Sequence, residues 1–138
     1  MQVRLTQLLE QTLLSAGDSP QTLINLFTDW KSGPEDGSYH FGKDAFNRDS
    51  RLLRHVHMIP VGVPGDLAKW DAAWGRESKR TSDRFLFYAD GGRPYGFLLI
   101  FIVNDPGAHG FLDDRANKAL LGKFEQIADD FVHFGTVP

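Results

Sequence analysis

The sequence predicts an α+β fold, a small antiparallel β-sheet with N-terminal helices and a C-terminal helix packed on one face. Three observations carry this reading. Residues 55–61 alternate, with Val56 and Met58 pointing one way and His55, His57 and Ile59 the other, as a strand with two unlike faces does. Tyr95 to Val103 is apolar on both faces, which places it inside a sheet rather than at its margin. Ala116, Leu120, Phe124, Ile127 and Phe131 recur at helical spacing, form one apolar stripe and need a sheet face to bury it.

Taken in order, Val3 to Leu14 fits two patterns. Leu5, Leu8, Leu9 and Leu13 suit a helix, while Val3, Leu5 and Gln7 suit the start of an edge strand. Ser19 and Pro20 read as the cap and first residue of a helix whose apolar face is Leu23, Leu26, Phe27 and Trp30, stopped by Gly33 and Pro34. A glycine-rich loop follows, then the His55–Val61 strand and a turn over 62–65. Leu67, Trp70 and Trp74 mark a short helix ending near Gly75. Phe85 to Ala89 is a strand, Asp90-Gly91-Gly92 supplies hairpin chemistry, and the apolar strand comes next. Gly135 ends the closing helix. With helices on one sheet face only, the other face is expected to be open and to hold the site.

Composition narrows the function. The 138 residues, 41% hydrophobic and 24% charged, show no repeat or long linker and fit one soluble domain. The longest apolar run, Phe97 to Val103, is far below the roughly 18 residues of a membrane span. No cysteine is present, so disulfides and thiolate metal sites are excluded. Gln7, Glu10, Gln11 and Thr12 interrupt the early leucines, so a signal peptide is not expected and the cytoplasm is the default location. A net charge of −3 counts against binding nucleic acid by bulk positive charge. The charge is unevenly placed, however. Residues 1–42 carry 2 basic and 5 acidic side chains, residues 43–84 carry 9 and 6, and residues 85–138 carry 4 and 7. The basic excess therefore lies in the middle, with Lys43, Arg54, Lys79, Arg80 and Arg84, and includes His55 and His57.

Histidines 55 and 57, two apart on a strand, share a face and can address one ligand or phosphate. His109 follows the apolar strand in the loop Asn104-Asp105-Pro106-Gly107-Ala108, although Pro106 and Gly107 alone account for a loop there. Arg80, Thr81, Ser82 and Asp83 precede the next strand, and Tyr88 shares the parity of Leu86. No Walker-type loop and no G-x-S-x-G elbow is present. A set of His, Arg, Tyr and Asp suits metal-free RNA cleavage, in which a base takes the 2′-OH proton, an acid protonates the leaving 5′-oxygen and a cation meets the phosphorane charge. The same histidines 55, 57 and 109 also suit a His₃ metal site with an open position, as in a metal-dependent hydrolase.

The motifs, in their order, resemble the YafO family of toxins from bacterial type II toxin–antitoxin systems. The matching stretches are Trp30-Lys31-Ser32-Gly33, Phe41-Gly42-Lys43-Asp44-Ala45 with Asp49, His55-Val56-His57-Met58, Arg80-Thr81-Ser82-Asp83 and Leu86-Phe87-Tyr88. They continue with Phe97-Leu98-Leu99-Ile100, Asp105 with Ala108-His109, and the helix around Ile127-Ala128 and Phe131, covering roughly residues 22 to 133. Members of that family are similar to RelE-type toxins. The resemblance implies a small RelE-like α+β protein, a strand near the N-terminus, and a ribosome-dependent endoribonuclease that cleaves translated mRNA and is restrained by a cognate antitoxin. It implies no cofactor. A ribosome that presents and orients the RNA lets such an enzyme work with a sparse site.

Carried over, the family's recurring polar residues fall on His55, His57, Arg80, Asp83, Tyr88, Asp105 and His109. The expected roles are His57 or His109 as acid or base, Arg80 as phosphate clamp, Tyr88 orienting the nucleotide, and Asp83 positioning Arg80 or a histidine. Lys43, Arg54, His55, Lys79 and Arg84 are the expected RNA contacts, with His55 also suited to a structural role. A non-catalytic module that binds the ribosome or a partner is the alternative. The chain departs from the family in having Lys43 where the family's FGRDA motif has arginine, in a longer 60–79 segment bearing Trp70 and Trp74, and in its acidity.

Overall fold

Capping chemistry shapes the N-terminal third of the chain. In the computed structural model, which describes residues 1–47 and 50–138, β1 (Val3–Leu5) runs into α1 (Gln7–Ser15), whose first turn is closed by the Thr6 hydroxyl accepting from Leu9 N–H. Both patterns in this stretch are therefore realised, one after the other. Ser19 caps α2 (Pro20–Ser32) in the same way, through Thr22 N–H, and Gly33 ends it as the spacing predicts. Arg48 and Asp49, the latter part of the motif series, lie outside the described residues.

The remaining elements are β2 (Phe41–Asn47), β3 (Ser50–Met58), α3 (Asp66–Gly75), β4 (Phe85–Asp90), α4 (Gly92–Tyr95), β5 (Phe97–Val103), α5 (Ala108–Asp113), a 3₁₀ turn (Arg115–Asn117) and α6 (Lys118–Phe134). The strands form one mixed sheet in the order β1-β5-β4-β3-β2, antiparallel except for the parallel β1–β5 pair. The fold is α+β with a C-terminal helix on the sheet, consistent with the RelE-like arrangement. As its two apolar faces predict, β5 is an interior strand.

Three expectations need correction. The glycine-rich stretch before His55 is not a loop throughout, since it contains β2 and the first half of β3. Bulges between Phe41 and Asp44 and between Phe46 and Asn47 break the alternation that would have marked β2. The Asp90-Gly91-Gly92 turn opens into the short helix α4 rather than a tight hairpin, so β5 starts at Phe97 and not Tyr95. Finally, both faces of the sheet are covered. Leu9, Leu23 and Phe27 of α1 and α2 pack on Val56, Met58, Leu86, Tyr88 and Leu99. Leu121, Phe124, Ala128 and Phe131 of α6 pack on Leu53, Phe85, Phe87, Leu98 and Ile100. The N-terminal helices have an apolar stripe of their own, and burying it consumes the face expected to stay open.

The outer side of β2 is held by the main chain around Arg80, whose carbonyl accepts Lys43 N–H at 2.9 Å. A Cβ on Gly42 would lie 2.1 Å from that carbonyl oxygen, whereas one on Gly110 would meet nothing within 4 Å. Gly42→Ala is expected to lower stability by about 1–3 kcal/mol, read from the urea midpoint, while Gly110→Ala stays near wild type. Equal midpoints for the two variants would contradict this packing.

Candidate functional site

The pleat sorts the candidate residues before any contact is considered. His57 stands opposite Phe85 and His55 opposite Phe87, and both phenylalanines belong to the α6 side of the sheet. Tyr88 belongs to the α2 side. Two residues expected in one site, His57 and Tyr88, are therefore separated by the sheet itself.

On the α6 side, His57, Asp83 and His109 come together beside α5. The Phe85 ring is the wall of the cluster, with its centroid 4.7 Å from that of His55, 4.6 Å from His57 and 4.8 Å from His109. The His57 and His109 centroids are 5.5 Å apart. His109 is exposed and is placed by Asp83. Oδ1 of that carboxylate accepts His109 N–H at 2.8 Å and lies 2.9 Å from the ring Nδ1, while Oδ2 accepts Gly107 N–H at 2.6 Å. An ionised carboxylate only accepts, so the pairing puts the ring proton on Nδ1 and leaves Nε2 bare in the neutral ring. Burial alone would push the Asp83 carboxyl up, but the N–H donors of His109 and Gly107, with the His109 ring, hold it below the ordinary carboxylate range.

His57 is 5% exposed. Its Nδ1 lies 2.9 Å from Ser82 N and 2.8 Å from Ser82 O. Either neutral tautomer thus has a main-chain partner: a bare Nδ1 accepts from the amide, and a protonated Nδ1 donates to the carbonyl. Burial is the chief cause that brings its pKa down to about 4, with the Ser82 hydrogen bond opposing and His109, His55 and Lys43 adding to the fall. The ring is therefore neutral at pH 7. His55 is shifted down as well, first by burial, and its Nδ1 is enclosed without a hydrogen-bond partner. Lys43, exposed on β2, lies near enough for its charge to act on both histidines.

The other expected residues lie elsewhere. Arg80, only 3% exposed, has its guanidinium 5.1 Å from the Trp70 ring and 4.6 Å from that of Trp74, and donates from Nη1 to the Tyr39 carbonyl at 2.7 Å. It is built into the α3 packing and does not meet Asp83, which holds a histidine instead. Tyr88 is fully buried and donates its hydroxyl to Asp44. Lys31 Nζ donates to that hydroxyl at 3.1 Å and pairs with Asp44 at 3.6 Å. Burial and Asp44 push the phenol well above its ordinary range, so Tyr88 offers no proton near pH 7. Arg54 lies 4.6 Å from the Phe46 ring, and Lys79 lines a separate opening with Lys31 and Asp44. Arg84 donates to Asn104 Oδ1 and to the Ile59 carbonyl. Asp105 accepts N–H bonds from Val61, Gly62 and Val63 at 2.9, 2.7 and 2.9 Å, which ties two loops together.

Sequence reasoning missed Ser82 as the partner of His57 and Phe85 as the wall. Ser82 acts through its main chain, which carries no residue-type signal. Among the described residues no group of three metal-ligating side chains converges.

The family described as "Toxin YafO, type II toxin-antitoxin system" matches residues 28–133. No curated protein gives a match, and no solved structure does. No helix among the described residues is long and apolar enough to cross a membrane.

The depressed His57 pKa links stability to pH. The unfolded ring takes a proton near pH 6.5 and the folded ring only near 4, so the fold is fully stabilised above 6.5 and loses stability as pH falls through that window. The expected loss is about 3 kcal/mol by urea denaturation. His57→Asn, which keeps a polar group near Nδ1 but cannot titrate, flattens most of the slope, His55 supplying the rest. An undiminished slope in that variant would refute the assignment.

Proposed function

The chain belongs to the YafO family of type II toxin–antitoxin toxins, and from that premise we propose that it is a ribosome-dependent endoribonuclease, cleaving translated mRNA in the cytoplasm by metal-free acid–base chemistry. The observation that carries the reading is the pairing of a buried, neutral imidazole with an exposed, Asp83-oriented one across 5.5 Å.

A phosphodiester set against the edges of the two rings meets complementary groups. His57, with Nδ1–H turned to the Ser82 carbonyl, takes the 2′-OH proton on Nε2. The 2′-oxygen then attacks phosphorus while the bond to the 5′-oxygen breaks, and protonated His109 delivers a proton from Nε2 to that oxygen. The products are a 2′,3′-cyclic phosphate and a 5′-hydroxyl. Lys43 offsets charge on the phosphorane as a point charge. Arg80 and Tyr88 have no part in these steps, and His55 supports the neighbouring rings. The net charge of −3 gives the chain little hold on RNA by itself, which supports presentation of the substrate by the ribosome.

Cleavage of ribosome-bound mRNA, followed by mapping of the new ends, tests the reading. His109→Ala and His57→Ala are each expected to slow cleavage about 10²–10⁴-fold. Lys43→Ala is expected to weaken it less, and Tyr88→Phe to leave it unchanged. Wild-type rates in both histidine variants would overturn the site. Stalled ribosomes without new RNA ends would favour the non-catalytic module.

A further inference from the structure

A groove of about 310 Å³ opens on the α2 side of the sheet, between the α1–α2 turn and the ends of β3, β4 and β5. Its floor is apolar, formed by Leu23, Phe41, Met58 and Ile102, each no more than 9% exposed. Arg84 and Asp18 stand on its polar wall. The Arg84 guanidinium makes its direct hydrogen bonds to neutral groups, the Asn104 side-chain oxygen at 2.9 Å and the Ile59 carbonyl at 3.0 Å, while the charges of Asp105 and Asp18 act on it without a direct contact. Among the described residues it forms no ion pair, and its Nη2 group has no hydrogen-bond partner. A fork-shaped cation beside an apolar floor is matched by an apolar side chain with a carboxylate next to it.

We propose that this groove is a docking site for the antitoxin, which seats an aliphatic side chain on the Leu23–Met58–Ile102 floor and a neighbouring aspartate or glutamate on Arg84. The proposal rests on family membership, which calls for such a partner, and is independent of the nuclease reading. RNA fits the groove poorly, because a phosphate backbone gains nothing from an apolar floor. A protein segment gains from both features, since a buried apolar anchor beside a desolvated charge pair is how binding energy concentrates at an interface.

The test is calorimetric titration of the purified chain with its purified cognate antitoxin, without RNA, together with hydrogen exchange on the complex. Thr22 is exposed at the groove mouth, so Thr22→Trp obstructs the groove without entering the core. Thr22→Trp, with an unchanged melting curve, and Arg84→Gln are each expected to weaken binding about tenfold or more. Amides of residues 19–26 and 58–59 are expected to gain protection in the complex. Wild-type affinity in both variants overturns the proposal. So does protection confined to the imidazole face, or a groove occupied by a second copy of the chain while antitoxin binding survives Thr22→Trp. Because binding is read without cleavage, failure of the nuclease reading leaves this result standing.

Discussion

One carboxylate organises the end of the sheet where the imidazoles meet. Helix α5 has six residues and begins at Gly107, whose φ of 137° no other residue type adopts readily. No side chain at its own N-terminus caps it, and its first amides would be orphaned without an acceptor from another element. Asp83, just before β4, supplies that acceptor to Gly107 and His109. The same oxygen that caps the helix orients the His109 ring. Folding of the loop and placement of an exposed imidazole are thus one interaction. Asp105 repeats the device nearby by gathering three successive amides of the 61–63 loop, so two carboxylates substitute for regular hydrogen bonding at this end of the sheet.

The second constraint is the pleat. Just before β4, Asp83 turns to α5 while Arg84 turns to the groove under α2, and from Phe85 on, residues one apart on the strand face opposite layers. Phe85 walls the imidazoles while Leu86 packs beneath the N-terminal helices. A short run of β4 therefore serves a polar cluster on one side and an apolar groove on the other. The two surfaces are close in sequence yet separated by the sheet.

Much of this was legible in the sequence where the signal is local. Ser19, Pro20 and Gly33 delimit α2, the period of the closing helix gives α6, and the two-residue spacing puts His55 and His57 on one face. Strand β2 was not legible, because two bulges and a glycine erase its alternation. Nor was the separation of Tyr88 from His57, since parity within a strand says nothing of register between strands. Arg80 illustrates a further limit. Its type suggests a phosphate, but only the fold shows that Trp70 and Trp74 enclose it. The motif series grouped residues by family, whereas geometry divides them into an imidazole cluster with Asp83 and a set that braces the scaffold.

Asp83 control of the His109 ring is the claim on which the rest stands, and the nitrogen-15 shifts of that ring report it directly. At pH values where the ring is neutral, the account predicts a proton on Nδ1 and a bare Nε2 in the wild type. Asp83→Asn should lose that preference and shift the amide resonances of Gly107 and His109. A wild-type ring protonated on Nε2, or a tautomer unaffected by Asp83→Asn, would contradict it.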